Sequence, residues 1–373
     1  MAYATLLMSA VGNFFPIFKG GNTLPSIIVA SILLWGVHYL ILKGVETAAF
    51  INSIVTVAKL IPILLVIVCM IAAFNFETFK AGLYGMTSGD TGIFSWGDTL
   101  GQVKSTMLVT VWVFTGIEGA VVFSSRAKSK KDVGTATVIG LISVLVIYFL
   151  MTVLAQGVIQ QNHISELSNP SMAAVLEHIV GHWGSVLVNI GLIISVLGAW
   201  LGWTLLAGEL PFVVAKDSLF PKWFAKENKN KAPVNSLLIT NILVQIFLIS
   251  MLFTESAYQF AFSLASSAIL IPYMFSAFYQ VKYTYLTKER ATTKQWVIGI
   301  ISSVYAIWLV YAAGIDYLLL TMLLYIPGLF VYQTVQKNNR KPLSKVDYIF
   351  FVLITILAII GIFRLITGAV NVF

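Results

Sequence analysis

Charge and cysteine are scarce in this chain of 373 residues. Asp, Glu, Lys and Arg make up only 10% of the residues, against 58% hydrophobic residues, and the mean hydropathy is +0.90. A soluble domain of this length needs a more polar surface, so the composition predicts an all-α polytopic membrane protein over nearly the whole chain. The single cysteine, Cys69, has no partner for an internal disulfide.

Signatures of enzymes and of cofactor sites are also missing from the sequence. There is no P-loop, no G-x-G-x-x-G motif that opens a helix, and no nucleophile elbow. In the stretch 177–182 the acid precedes the first of two histidines, so the order of a metalloprotease helix is wrong, and we interpret it as a solvated extracellular helix. We therefore expect no enzyme activity, no cofactor and no metal site.

Eleven apolar runs are long enough to be read as membrane spans. They cover about residues 2–18, 24–42, 50–74, 99–124, 134–159, 184–213, 235–254, 258–281, 295–313, 315–335 and 347–369.

Basic residues concentrate in every second loop between these runs. Most of the 23 Lys and Arg lie at Lys43 and in the loops around 126–131, 216–231, 282–294 and 337–345, whereas loops 75–98 and 160–183 are mainly acidic. By the positive-inside rule the basic loops are cytoplasmic, which predicts an N-terminus inside and a C-terminus outside. The net charge of +8 then reflects orientation in a cytoplasmic membrane, and no nucleic acid partner is expected.

Glu118 lies in the middle of the apolar run Leu108–Phe123. A carboxylate at membrane depth is costly and is a functional hypothesis by default. Gly116 and Gly119 flank it and weaken the helix there, so we expect the backbone to unwind between Thr115 and Gly119. The half-helix ends would then offer N–H and C=O groups to a zwitterionic solute. The alternative is a structural carboxylate bonded to a neighbouring helix.

Other side chains within the spans are candidates as well, and for Lys59 and Trp203 an alternative stays open. Trp112 offers a π face to a cationic side chain. Lys59, three residues before a helix-kinking Pro62, is either a fixed or titrating cation near a solute, or a lysine that reaches the cytoplasmic surface. Trp203 either caps a ligand or simply packs, and Glu209 is expected to pair with a loop lysine.

Small and hydroxylated residues mark two further helices. Gly198 and Gly202 have the small-xxx-small spacing that allows close helix contact. Ser263, Ser266 and Ser267, before Pro272, are secondary candidates for binding a carboxylate or an ion, although such serines more often bond back to their own helix.

Two blocks of sequence resemble one known family. They are Trp112–Ala120 with the following basic loop to Val133, and Gly202–Glu209 with the block 215–235 that ends in Pro-Val-Asn. Both are similar to the amino acid–polyamine–organocation superfamily, and most of all to its bacterial basic amino acid/polyamine antiporters that exchange arginine for ornithine.

The resemblance implies a LeuT-like inverted-repeat fold that lacks its first two helices. Residues 1–74 would be the remainder of the first repeat, 99–281 the second repeat, and 295–369 peripheral helices. Substrate would bind at the bilayer midplane by alternating access. The implied substrate-binding residues are Tyr3, Trp112, Thr115, Gly116, Glu118 and Trp203, and the implied coupling or gating residues are Glu118 and Lys59.

The resemblance also has a gap. Nothing in residues 1–50 matches the glycine-rich unwound segment of the family's first span, and a family site asparagine would lie immediately before Met1. We therefore expect a fragment of a longer transporter. The competing hypotheses are an exchanger of basic amino acids, a non-transporting remnant or interaction subunit, and, least supported, an intramembrane enzyme.

Several properties stay open at this point. Arginine, lysine, ornithine, histidine and agmatine share the required cation, and no residue separates them. The expected partners are this small-molecule substrate and membrane lipid, and a homodimer is left open.

Overall fold

The computed structural model describes residues 2–82, 96–122, 124, 127, 129–167, 170–253, 257–287, 291–339 and 341–367. Within these residues the chain is helical, which confirms the all-α prediction. The helices are α1 Ala2–Gly12, α2 Leu24–Lys43, α3 Val45–Ala73, α4 Phe76–Gly82, α5 Trp96–Ser105, α6 Met107–Phe114, α7 Gly119–Val122, α8 Lys130–Val158, α9 Gln161–Glu166, α10 Ser171–Val180, α11 His182–Lys216, α12 Val234–Ser250, α13 Ala257–Leu286, α14 Thr293–Ala312, α15 Ile315–Asn338 and α16 Lys345–Ile366.

In the part of the chain that the structure describes, nine helices are long and apolar enough to cross a membrane. Each coincides with one of the eleven predicted runs, and the predicted run 99–124 corresponds to a bent pair of helices. The predicted run 2–18 was wrong in its extent, because α1 has only 11 residues. After Gly12 the chain turns, and a short 3-10 helix that begins at Pro16 folds back so that Lys19 lies against Gly12.

The chain divides into two compact units. The first comprises Met1–Phe94 with Ile117–Tyr258, and the second comprises Ser95–Gly116 with Gln259–Phe373. The repeat boundaries implied by the resemblance remain a prediction.

The first unit is built around a core of four helices. Side chains of α1, α2, α11, α12 and the short 3-10 helix after α12 meet there, namely Ala4, Leu7, Met8, Ile27, Ala30, Leu34, Val196, Trp200, Leu248 and Met251. Lipid is as apolar as these side chains, so the helices associate mainly through close packing and hydrogen bonds.

Helix α3 packs against a glycine face of α11. A Cβ added at Gly198 would clash with Val55, and one added at Gly191 would lie 2.9 Å from Cγ of Pro62. A Cβ at Gly202 would lie 3.4 Å from the side chain of Asn52. The predicted close helix contact at Gly198 and Gly202 is therefore confirmed, and it continues to Gly191.

The loop between α11 and α12 is tied to the end of α2. Asn228 Nδ2 and Asn230 Nδ2 both donate to the carbonyl of Leu42, at 2.8 and 3.0 Å. The same Asn228 accepts the backbone N–H of Ala232 at 3.0 Å, and Lys216 pairs with Glu227 at 3.2 Å. The loop thus supplies two donors to one carbonyl in the last turn of α2, where a helix leaves its carbonyls without intrahelical donors.

The second unit has its own hydrophobic core and an ion pair between two of its helices. Its core contains Met107 and Val111 of α6 with Leu270, Leu309, Ala312 and Ala313. In the helical hairpin of α15 and α16, Arg364 pairs with Asp316 at 3.0 Å. Gly361 allows close approach there, because an added Cβ would lie 3.0 Å from the carbonyl oxygen of Leu319.

Candidate functional site

The apolar run around Glu118 is interrupted as predicted. Helix α6 ends at Phe114, Thr115 is extended with φ −63° and ψ 136°, and Gly116 has φ +107°. The Thr115 hydroxyl donates to the carbonyl of Val111 at 2.8 Å, which stabilises the last turn of α6. Helix α7 begins at Gly119, where the carbonyl of Glu118 accepts the N–H of Val121 at 2.8 Å.

The interruption has a local cause in the sequence. A φ of +107° is accessible to glycine and strained for other residues, so Gly116 allows the chain to leave the helix at that point. All residues from Trp112 to Ala120 are half-buried. Irregular backbone at membrane depth is tolerated only where it is buried in protein or lines a water-filled cavity, so this segment is the first candidate for a solute site.

A second bend in the same run was missed by the sequence analysis. The helix axis turns by 46° between Thr99–Ser105 and Met107–Val122. At the bend, the Thr106 hydroxyl donates to the carbonyl of Val103 at 3.0 Å, and Thr110 donates to the carbonyl of Thr106 at 2.9 Å. Two threonines one turn apart that bond back to the helix are the signal that could have indicated it.

The predicted site residues fall into both units. Trp112, Thr115 and Gly116 belong to the second unit, and Tyr3, Lys59, Glu118 and Trp203 belong to the first. Within the first unit, Tyr3 packs partly buried against the four-helix core, and Trp203 is half-buried on α11.

Glu118 immediately precedes α7, which lies beside α11. A Cβ added at Gly119 would approach Cδ1 of Leu206 at 4.0 Å, and Leu206 is one helical turn from Trp203. The structure therefore brings the helix that follows Glu118 next to the segment of α11 that carries Trp203.

Lys59 is the fifteenth residue of α3 and is half-buried. At helical spacing it shares a face with Val55 and Pro62, the two residues that pack on the glycine face of α11. Among the described residues it makes no ion pair and no hydrogen bond. A lysine in this position brings positive charge to the contact between α3 and α11.

The serine group on α13 is buried. Ser263 is 7% exposed, and Ser266 and Ser267 are fully buried. The hydroxyl of Ser267 has no hydrogen-bond partner within the described part of the chain. A buried polar atom without a partner is unusual, so Ser267 does not follow the common pattern of bonding back to its own helix.

A polar seam between α2 and α12 was also missed. Gln245 accepts from Nε1 of Trp35 at 3.1 Å and donates to Ser31 at 2.8 Å, and the Asn241 amide meets Nδ1 of His38 at 2.9 Å. The three α2 residues have the spacing i, i+4, i+7, which is a signal that sequence reasoning could have used. The seam fixes the pairing of two helices in the first unit.

Two acidic positions of the sequence analysis lie on α11 and α10. Glu209, on α11, is only 2% exposed, and its pairing with a loop lysine stays a prediction, while Lys216 at the end of that helix pairs with Glu227. The stretch 177–182 was expected to be a solvated helix. Its Glu177, His178 and His182 are exposed, but α10 ends at Val180 and His182 begins α11, so the stretch is not one helix. Its exposed Glu177 contacts His182 at 3.3 Å, and no cluster of potential metal ligands occurs among the described residues.

Comparison with known proteins places these features in context. A family model described as amino acid permease matches residues 1–316. An arginine/ornithine antiporter of Pseudomonas aeruginosa is 44% identical over 380 residues, which cover 99% of this chain and 78% of that protein. An arginine/ornithine antiporter of Latilactobacillus sakei is 43% identical over 99% of this chain and 78% of its own length. An arginine/agmatine antiporter of Chlamydia abortus is 39% identical over 97% of this chain and 76% of its own length.

Proposed function

Because the chain belongs to the amino acid permease family, we propose that it is a secondary antiporter that exchanges arginine for ornithine across the bacterial cytoplasmic membrane. The family membership and the relatives named as antiporters support an amino acid antiporter. The choice of arginine and ornithine rests on the names of two of those relatives. Both substrates carry the same net charge, so their exchange needs no ion gradient.

The observation that carries this proposal is the interrupted helix at Thr115–Glu118. Discontinuous helices near the bilayer midplane build the substrate sites of many secondary transporters. The C-terminal end of α6 carries partial negative charge and favours the ammonium group of an amino acid. Turning the backbone out of the helix at Gly116 provides the change of direction that such a site requires.

The proposed roles are those that the resemblance to the family implies for each residue. Trp112 stacks on the cationic side chain, a contact worth about 0.5–2 kcal/mol, and Trp203 closes the other side. Thr115 and Gly116 lie beside the backbone of the substrate, and Tyr3 faces it from α1. Ser263, Ser266 and Ser267 are secondary candidates for its carboxylate.

Two charged residues are proposed to couple substrate binding to gating. Glu118 is the last residue of the interruption, so a cationic substrate there would change the electrostatic environment of its carboxylate. Lys59 lies in the contact between α3 and α11, where its positive charge would bias how closely these helices approach.

The competing hypothesis is a remnant of such a transporter, which retains the packing of its helices but does not transport. The match to antiporters along nearly the whole chain and the retained interruption at Gly116 both favour exchange. The decisive property is exchange itself, since only a transporter moves one amino acid against another.

The test is uptake of labelled arginine into proteoliposomes that contain ornithine. We expect saturable uptake that requires internal ornithine, and a loss of at least about tenfold in Glu118→Gln, because a gating charge contributes more than 1.4 kcal/mol. Glu166→Gln is the matched control, since Glu166 lies on α9 with a side chain that is 79% exposed. Competition by unlabelled lysine, histidine and agmatine ranks the alternative substrates.

Uptake that is equally fast into empty vesicles would contradict exchange. Absence of any uptake by a monodisperse wild-type protein would favour the remnant.

A further inference from the structure

Pro272 leaves one carbonyl of α13 without its helical donor. It lies inside the helix Ala257–Leu286, and proline has no backbone N–H. The acceptor that its N–H would have served is the carbonyl of residue i−4, which is Ala268. In a membrane an unpaired carbonyl costs several kcal/mol unless another group satisfies it.

Tyr325 of α15 supplies the missing donor. Its hydroxyl donates to the carbonyl oxygen of Ala268 at 2.9 Å, and both residues belong to the second unit. The Tyr325 ring also lines a largely apolar cleft of about 460 Å³, together with Phe275, Gly328 and Phe350. The side chain thus reaches from α15 to the turn of α13 that precedes Pro272.

The satisfied carbonyl lies directly beside the serine group of α13. Ala268 follows Ser267, whose buried hydroxyl has no partner in the described part of the chain. At a proline the helix lacks one backbone hydrogen bond, so the angle between the segments before and after the proline is less restricted. A donor from another helix can restrict that angle.

We propose that Tyr325 is a positioning residue whose hydroxyl replaces the missing proline N–H, holds the kink of α13 and thereby orients Ser263, Ser266 and Ser267. The effect on the kink is independent of what the protein transports. The effect on exchange rests on the proposed function, in which these serines face the substrate.

The first experiment measures the kink directly. Spin labels at Ala265→Cys and Tyr279→Cys, in a Cys69→Ser background, flank Pro272 at exposed positions of α13. They lie about 21 Å apart along the helix, a distance that pulsed electron spin resonance resolves. We expect Tyr325→Phe, which removes only the hydroxyl, to broaden the distance distribution.

Two variants separate this role from ordinary packing. Pro272→Ala restores the backbone N–H, so in that background Tyr325→Phe should no longer change the distribution. Tyr332→Phe is the matched control on the same helix, because the Tyr332 hydroxyl donates instead to Asp347 of α16 at 3.0 Å. We expect Tyr332→Phe to leave the distribution unchanged in either background.

The second experiment measures arginine/ornithine exchange with the same variants. Tyr325→Phe should lower exchange about threefold to tenfold, as expected for one lost hydrogen bond in a membrane, and should have no effect when Pro272 is alanine. An unchanged distance distribution in Tyr325→Phe would overturn the inference whether or not the protein exchanges. A broadened distribution in a protein that never exchanges would support the kink and contradict the proposed function. A broadened distribution with full exchange would overturn the role in transport.

Discussion

Gly116 is the single residue on which the interruption of the membrane span most depends, because its φ of +107° is strained for any side chain. Gly116→Ala should cost about 1–3 kcal/mol in the free energy of unfolding and should reduce exchange. Gly119→Ala is the matched control, since its φ is not positive and the nearest foreign atom would be Leu206 Cδ1 at 4.0 Å. Thermal unfolding and uptake in both variants provide the measurement. Equal losses of stability and of uptake in the two variants would contradict the role of the positive φ at Gly116.

The contrast between these two glycines shows what sequence reasoning could reach at the scale of residues. A charge between two glycines in an apolar run was enough to predict the break. It could not tell that Gly116 and not Gly119 adopts positive φ, because both glycines have the same conformational freedom. The bend at Thr106 was missed because threonine also bonds back to the backbone in unbent helices.

At the scale of helices, the contact of α3 with α11 depends on the absence of a side chain at Gly198. Gly198→Ala should destabilise the protein by about 1–3 kcal/mol, because its Cβ would overlap Val55. Adding Val55→Ala should recover part of the loss, because it removes the overlapping Cγ1 but leaves Cβ at 2.9 Å, and thermal unfolding of the single and double variants can measure this. Gly140→Ala on α8 is the control, because an added Cβ there meets nothing within 4 Å. Loss without recovery in the double variant would mean that Val55 is not the obstacle.

Helix positions were more predictable from sequence than helix partners. Apolar runs located nine of the spans because a membrane helix must be long and apolar throughout. The prediction of a span over 2–18 was wrong because α1 ends before Asn13 and Pro16. The Asn13 amide donates to Asn189 of α11 at 2.8 Å. That partner lies 176 positions away, and spacing along one helix carries no information about it.

At the scale of the whole molecule, the helix bounds agree with the charge pattern that predicts sidedness. Lys43 lies in the last turn of α2, Lys216 in that of α11 and Lys337 in that of α15, whereas Lys345 opens α16. These ends meet the loops that the positive-inside rule assigns to the cytoplasm. The class of protein was therefore readable from composition and charge, while the arrangement of implied repeats remains a prediction.

Cysteine labelling at the two ends of α11 tests this topology. In a Cys69→Ser background, a membrane-impermeant maleimide should label His182→Cys in intact cells and Lys229→Cys only after permeabilisation. Both side chains are exposed. His182 begins α11 and Lys229 lies in the loop after it, so a helix of 35 residues, about 52 Å long, separates them, which is more than enough to cross the bilayer. Labelling of both sites on one side would contradict α11 as a span. If Lys229→Cys were labelled in intact cells and His182→Cys only after permeabilisation, α11 would still span the membrane, but in the opposite orientation. The loop whose Asn228 and Asn230 bond to Leu42 would then lie outside the cell, against the positive-inside rule.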